Sequence, residues 1–110
     1  MEKRSFVEWL NYKPTKLDTK IKAFEYFVRA LVRQTNNYEE FKNNDFSQLK
    51  VQKLLFLACS ANTELLGIFD NWVAMPYGPI EYDIYKYTRE NKGIFSFFKM
   101  SSTKLELVCG

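Results

Sequence analysis

The segment from Ser47 to Ala61 constrains the fold more than any other stretch of this chain. Val51, Leu54, Leu55 and Ala58 recur at i, i+3, i+4 and i+7, the spacing of one helix face. Leu49, Phe56 and Leu57 occupy most of the remaining circumference. A helix that is apolar nearly all round has to be enclosed, which predicts the central element of the core. Ser47 offers its N-cap, because the hydroxyl can accept from amides that the first turn leaves unpaired. A chain of 110 residues has room for one such core and therefore for a single domain.

The other elements are expected to wrap that helix. Ile21, Phe24, Val28 and Leu31 recur at steps of three, four and three, and predict an amphipathic helix from about Asp18, as N-cap, to Gln34. Asn36-Asn37 breaks it. Before it, Phe6-Val7-Glu8-Trp9-Leu10 reads as a helical turn stopping short of Lys13-Pro14. Tyr38 to Phe46 is polar and reads as a connector with room for a short helical turn. Phe69 to Met75 lacks helical spacing and reads as extended, and Pro76-Tyr77-Gly78-Pro79 is a turn by composition. Pro79 is expected at the first position of a last helix, with Glu81 and Asp83 in its first turn, favoured there by the helix dipole. Asn91-Lys92-Gly93 ends it. The tail, with Phe95-Ser96-Phe97-Phe98 and Leu105-Glu106-Leu107-Val108 on either side of a polar stretch, allows a hairpin. The expected fold is mainly α: a small single-domain helical bundle with a short β-hairpin or extended segment.

Composition removes several chemistries. There is no histidine, so neither a Ser-His nor a Cys-His pair exists and no zinc site can use nitrogen ligands. Cys59 lies in an apolar run and reads as a small core hydrophobe; Cys109 reads as a free thiol. Scattered carboxylates, Lys53 and tyrosines show no spacing that suggests general acid–base work, so no enzyme, cofactor or metal is expected. The apolar run Leu54 to Cys59 is too short for a membrane span. The first residues lack a signal-peptide pattern, and a cytoplasmic location is the default. Residues 1–53 hold eleven Lys and Arg against seven Asp and Glu. That mild excess is weaker than the clustered charge of most nucleic-acid binders. The 17% aromatic content is the more informative excess, since aromatic side chains are enriched at the centres of protein interfaces.

Two stretches carry a resemblance. Leu49-Lys50-Val51-Gln52-Lys53-Leu54-Leu55-Phe56-Leu57-Ala58 resembles the helix written LxxQKLLYxA in the Panacea domain, the SocA-like antitoxin family. Trp72-Val73-Ala74-Met75-Pro76-Tyr77-Gly78-Pro79-Ile80, followed by Tyr85, resembles its second signature. The signature region spans residues 47–90 of one domain covering 1–110. The resemblance implies a bacterial or phage antitoxin that binds its cognate toxin protein, blocking it directly or handing it to a cytosolic protease as an adaptor. Glu81-Tyr82-Asp83 is more acidic than the family pattern, and the chain ends soon after the second signature. A nucleic-acid-binding role and a phage-encoded anti-defence role are the alternatives.

The candidate partner-binding residues are Lys53, Trp72, Tyr77, Gly78, Pro79, Tyr82 and Tyr85. Lys53 on an apolar helix must either reach water or pair with a carboxylate, with Asp70, Glu64 and Glu81 as candidates, or it faces the partner. Gly78-Pro79 is expected to fix the angle at which the last helix leaves the core. Tyr77 is the first choice for an exposed anchor, and Trp72 is weighted towards the core.

Overall fold

A computed structural model describes residues 16–35 and 37–108. The expected turn at Phe6–Leu10, Asn36 and Cys109 lie outside the described residues. Helix α1 is Leu17–Arg33, α2 is Tyr38–Lys42, α3 is Gln48–Ala61 and α4 is Tyr82–Glu90. A 3-10 segment, Thr63–Gly67, follows α3. Strands β1 (Trp72–Met75) and β2 (Gly78–Glu81) form one antiparallel hairpin, and β3 (Phe98–Met100) and β4 (Leu105–Leu107) form a second. Among the described residues, 54% are helical and 16% are in strands of two small antiparallel sheets, so the fold is α+β. The helical bundle expected from the sequence is therefore corrected.

The source of that error is Pro79. It is not the first residue of a helix but pairs with Ala74 in β2. Glu81, two residues on, directs its backbone N–H and C=O away from β1 and into the side chain of Gln52. Residues two apart share a strand edge, so the missing N–H of Pro79 falls on that outer edge, where no ladder bond is lost. The hairpin turn is Pro76–Tyr77, and neither residue has a positive φ. A turn of that hand would splay the strands, and Gly78 at φ +120° reverses it at once.

Elsewhere the local signals are met. Ser47 Oγ accepts from the Lys50 amide at 3.2 Å and caps α3. Helix α1 begins one residue before the expected cap, so Asp18 sits in its first turn rather than at the N-cap. The main core joins Phe24 and Val28 of α1, Val51 and Leu55 of α3, Ile84 of α4, and Phe98 and Leu105 of the second hairpin. Phe95 and Phe98 stack at 4.6 Å between ring centroids, and Phe24 tilts against both. Burial pushes the Cys59 thiol up from its ordinary pKa, with the charge of Glu81 adding to the effect, as suits a core position.

Helix α3 is not enclosed as its composition suggests. Val51, Gln52, Leu55 and Cys59 face inward, whereas Leu49, Phe56 and Leu57 are exposed, Leu57 at 60%. The long apolar helix is thus a wall of the core, with an apolar outer face.

Gly93 locks α4 to β3. Its N–H donates to the Thr88 carbonyl at 2.7 Å, and its carbonyl accepts from the Met100 amide at 2.9 Å. At φ +79° a Cβ here would collide with the Met100 carbonyl. We expect Gly93→Ala to lower unfolding free energy by at least about 2 kcal/mol, from left-handed strain together with displaced backbone. Urea denaturation checks this; an unchanged midpoint would show that the junction tolerates a side chain.

Candidate functional site

The site is built on a buried ionic framework. Lys20 lies one helical turn before Phe24 on the inward face of α1 and is wholly buried. Its Nζ stands 2.8 Å from Asp70, 3.0 Å from Glu81 and 2.7 Å from Asp83. Burial alone would lower its pKa. The hydrogen bonds to Asp70, Asp83 and Glu81 outweigh that effect and hold the ammonium above its usual range.

Glu81 is the hub of this framework. It is fully buried and caps α4, with Oε1 accepting from the Asp83 amide at 2.8 Å and the Ile84 amide at 3.3 Å. Its Oε2 accepts from the Asn71 amide at 3.0 Å as well as facing Lys20. The Gln52 side chain donates to the Glu81 carbonyl at 3.3 Å and accepts from the Glu81 amide at 2.9 Å. Gln52 thereby takes the place of a neighbouring strand on the outer edge of β2, and bonds α3 to the start of α4. The ligand-type oxygens of Asp70, Glu81 and Asp83 all lie within 4.8 Å of one another, a donor set that suits a hard cation. Here the Lys20 ammonium bonds to all three groups and fills that role.

The framework holds open a cleft of about 310 Å³. Leu49 and Gln52 of α3 form one wall, and Tyr85 and Thr88 of α4 the other. Tyr77 and Ile80 of the first hairpin, with Met100 and Ser102 of the second, complete it. Among the described residues, no charged side chain lines it. Thr88 donates to the Ile84 carbonyl at 2.7 Å and Gln48, at the edge, to the Met100 carbonyl at 3.2 Å, so these groups are already engaged within the protein. The cleft can receive apolar surface, and tyrosines stand at its mouth.

The structure brings together only part of the residue set expected from sequence. Tyr77, 42% exposed, and Tyr85 line the cleft. Tyr82, 41% exposed, lies beside it in a shallow depression shared with Tyr85, Lys86, Arg89 and Glu90. Gly78 and Pro79 set the hairpin that carries Tyr77 rather than the start of α4. Trp72 is half-buried: its indole donates to the Phe69 carbonyl at 2.7 Å, and its ring meets Phe56 edge-on. Lys53 is exposed and, among the described residues, makes no ion pair. Two of the carboxylates considered for it, Asp70 and Glu81, belong to Lys20. Sequence reasoning missed Lys20, Asn71, Leu49, Met100 and Ser102. For Lys20 a signal existed: it falls four residues before Phe24, in line with Phe24, Val28 and Leu31.

Compared with known proteins, the chain matches no family model, no curated protein and no solved structure.

Proposed function

We propose that this chain is an antitoxin-like protein-binding module of a bacterial or phage toxin–antitoxin system, and that it acts by docking on its toxin through the tyrosine-rimmed cleft. The observation that carries the reading is the cleft itself: an apolar recess that no charged side chain lines among the described residues, with Tyr77 and Tyr85 in its lining and Tyr82 beside it. Interfaces draw most of their energy from a few aromatic anchors seated in desolvated pockets. The resemblance of residues 49–58 and 72–85 to the Panacea signatures supports the same class. In this chain those signatures supply parts that make and hold the cleft: Leu49 and Gln52 from the first, Tyr77, Ile80 and Tyr85 from the second.

Co-expression with the product of the adjacent gene tests the proposal. The expected result is relief of that product's toxicity and co-elution of the two chains as a complex. Relief with loss of the toxin, dependent on a cytosolic protease, would place the action in delivery for degradation. Relief with the toxin intact would place it in direct blocking. Persistent toxicity and no complex would overturn the reading.

A further inference from the structure

Beside the cleft, the exposed side of α4 carries an ordered pattern whose cations the docking reading does not use. Tyr82, Tyr85, Lys86 and Arg89 stand at i, i+3, i+4 and i+7, so they form one stripe on the helix surface. Ile84 and Thr88 point the opposite way, into the core. The Arg89 guanidinium lies 5.6 Å above the Tyr85 ring, and Lys86 approaches Glu90 at 3.9 Å as an exposed pair. Tyr85 belongs to both surfaces: it walls the cleft on one side and the basic depression on the other. Among the described residues, Glu90 is the one carboxylate lining the depression, against Lys86 and Arg89, so the rim beside the recess is net basic.

Size and charge together define an occupant. A recess of about 310 Å³ is at the lower end of ligand pockets, enough for one large apolar side chain. Its uncharged lining suits an apolar side chain and offers nothing to a phosphate group, while the flanking cations attract acidic side chains next to that anchor. Tyr82 to Arg89 spans about 10 Å of helix at 1.5 Å per residue, the reach of about three extended residues.

We propose that the cleft receives one large apolar side chain from an acidic segment of the partner protein, whose carboxylates, within about three residues of that anchor, lie along Lys86 and Arg89. The proposal rests on the docking reading above and adds the chemistry of what docks.

Fluorescence polarisation with the full chain provides the test. The probe is a labelled peptide carrying Asp-Glu-Asp next to a single Phe in a Gly-Ser background. Replacing Phe by Ala, or the acids by Lys, is expected to weaken binding at least about ten-fold. The double variant Lys86→Glu/Arg89→Glu should weaken it by a similar factor and abolish the loss of affinity with added salt. Ser102→Trp, an exposed loop substitution that narrows the cleft, should weaken binding as much while keeping its salt dependence, without altering the thermal midpoint. Absence of probe binding, equal binding of the Ala or Lys peptides, or displacement by a single-stranded oligonucleotide would overturn the proposal. So would a concentration-dependent dimer abolished by Ser102→Trp, since a second copy would then fill the cleft. A toxin complex that forms yet survives both protein variants defeats this inference and leaves the docking reading standing. Absence of any toxin complex, with the peptide behaviour intact, does the reverse.

Discussion

Lys20→Met should cost about 3–5 kcal/mol of folding free energy, because removing one partner of a buried ion pair leaves its counter-charges unpaired. The single Lys20 ammonium faces the carboxylates of Asp70, Glu81 and Asp83 at 2.7–3.0 Å, and methionine keeps the bulk while removing the positive charge. A domain of ordinary stability has about 5–15 kcal/mol in total, so the variant should unfold at much lower urea. Adding Asp83→Asn should restore part of the loss, since it removes one of the carboxylates left in mutual repulsion. The two substitutions are then non-additive, as expected of one network. Alkaline pH reports on the same group. The folded-state pKa of Lys20 is raised above its ordinary 10.5, so its contribution is fully present below about pH 10.5. It is lost as pH climbs through the raised folded value. Wild type should therefore show a steeper alkaline decline in urea midpoint than Lys20→Met. Identical alkaline profiles would remove Lys20 from the account.

Glu81→Ala should cost about 3 kcal/mol, assembled from different parts. It removes the N-cap of α4, worth about 1 kcal/mol, and leaves the Asn71 amide without its acceptor, about 1–3 kcal/mol. Its consequence for the site is sharper than its consequence for the fold. The Asp83 and Ile84 amides lose their acceptor, so the first turn of α4, which positions Tyr82 and Tyr85, should fray. Hydrogen exchange is expected to accelerate at Asp83 and Ile84 more than at Val51 or Leu55 of α3. A uniform acceleration across both helices would mean that Glu81 supports global stability without organising the cleft wall.

Much of this arrangement is legible in the sequence, residue by residue. The stripe Phe24, Val28 and Leu31, the cap at Ser47 and the second hairpin follow from local rules, as do an extended segment within Phe69 to Met75, which narrows to Trp72–Met75, and a turn within Pro76 to Pro79, which narrows to Pro76–Tyr77. What failed was long-range. Pro79 satisfies both a helix start and a strand edge, and the choice is made by Gln52, 27 residues earlier, whose amide claims the backbone of Glu81. Lys20 extends an apolar stripe, but the carboxylates that let it be buried lie 50 to 63 residues away. Its charge therefore reads as solvated and Ile21 takes its place. The ion pair sought for Lys53 exists with the right acids and the wrong lysine. For α3, periodicity shows that many faces are apolar without showing how many neighbours arrive to cover them. Leu49 and Leu57 stay exposed because the described elements pack on one side of the helix. The cleft is such a product of assembly: its lining comes from both signature stretches and from the second hairpin, whose Met100 and Ser102 carry no local mark of a site.

The account turns on Tyr85 being an anchor for a protein partner, held in place by a framework it does not itself stabilise. The direct measurement is the dissociation constant of the complex with the adjacent gene's product, for wild type and Tyr85→Ala, alongside the urea midpoint of each free chain. A loss of about thirty-fold or more in affinity, the range of an interface hot spot of 2 kcal/mol, with the midpoint little changed, is the predicted result. An unchanged dissociation constant would contradict the account and place the partner elsewhere on the molecule.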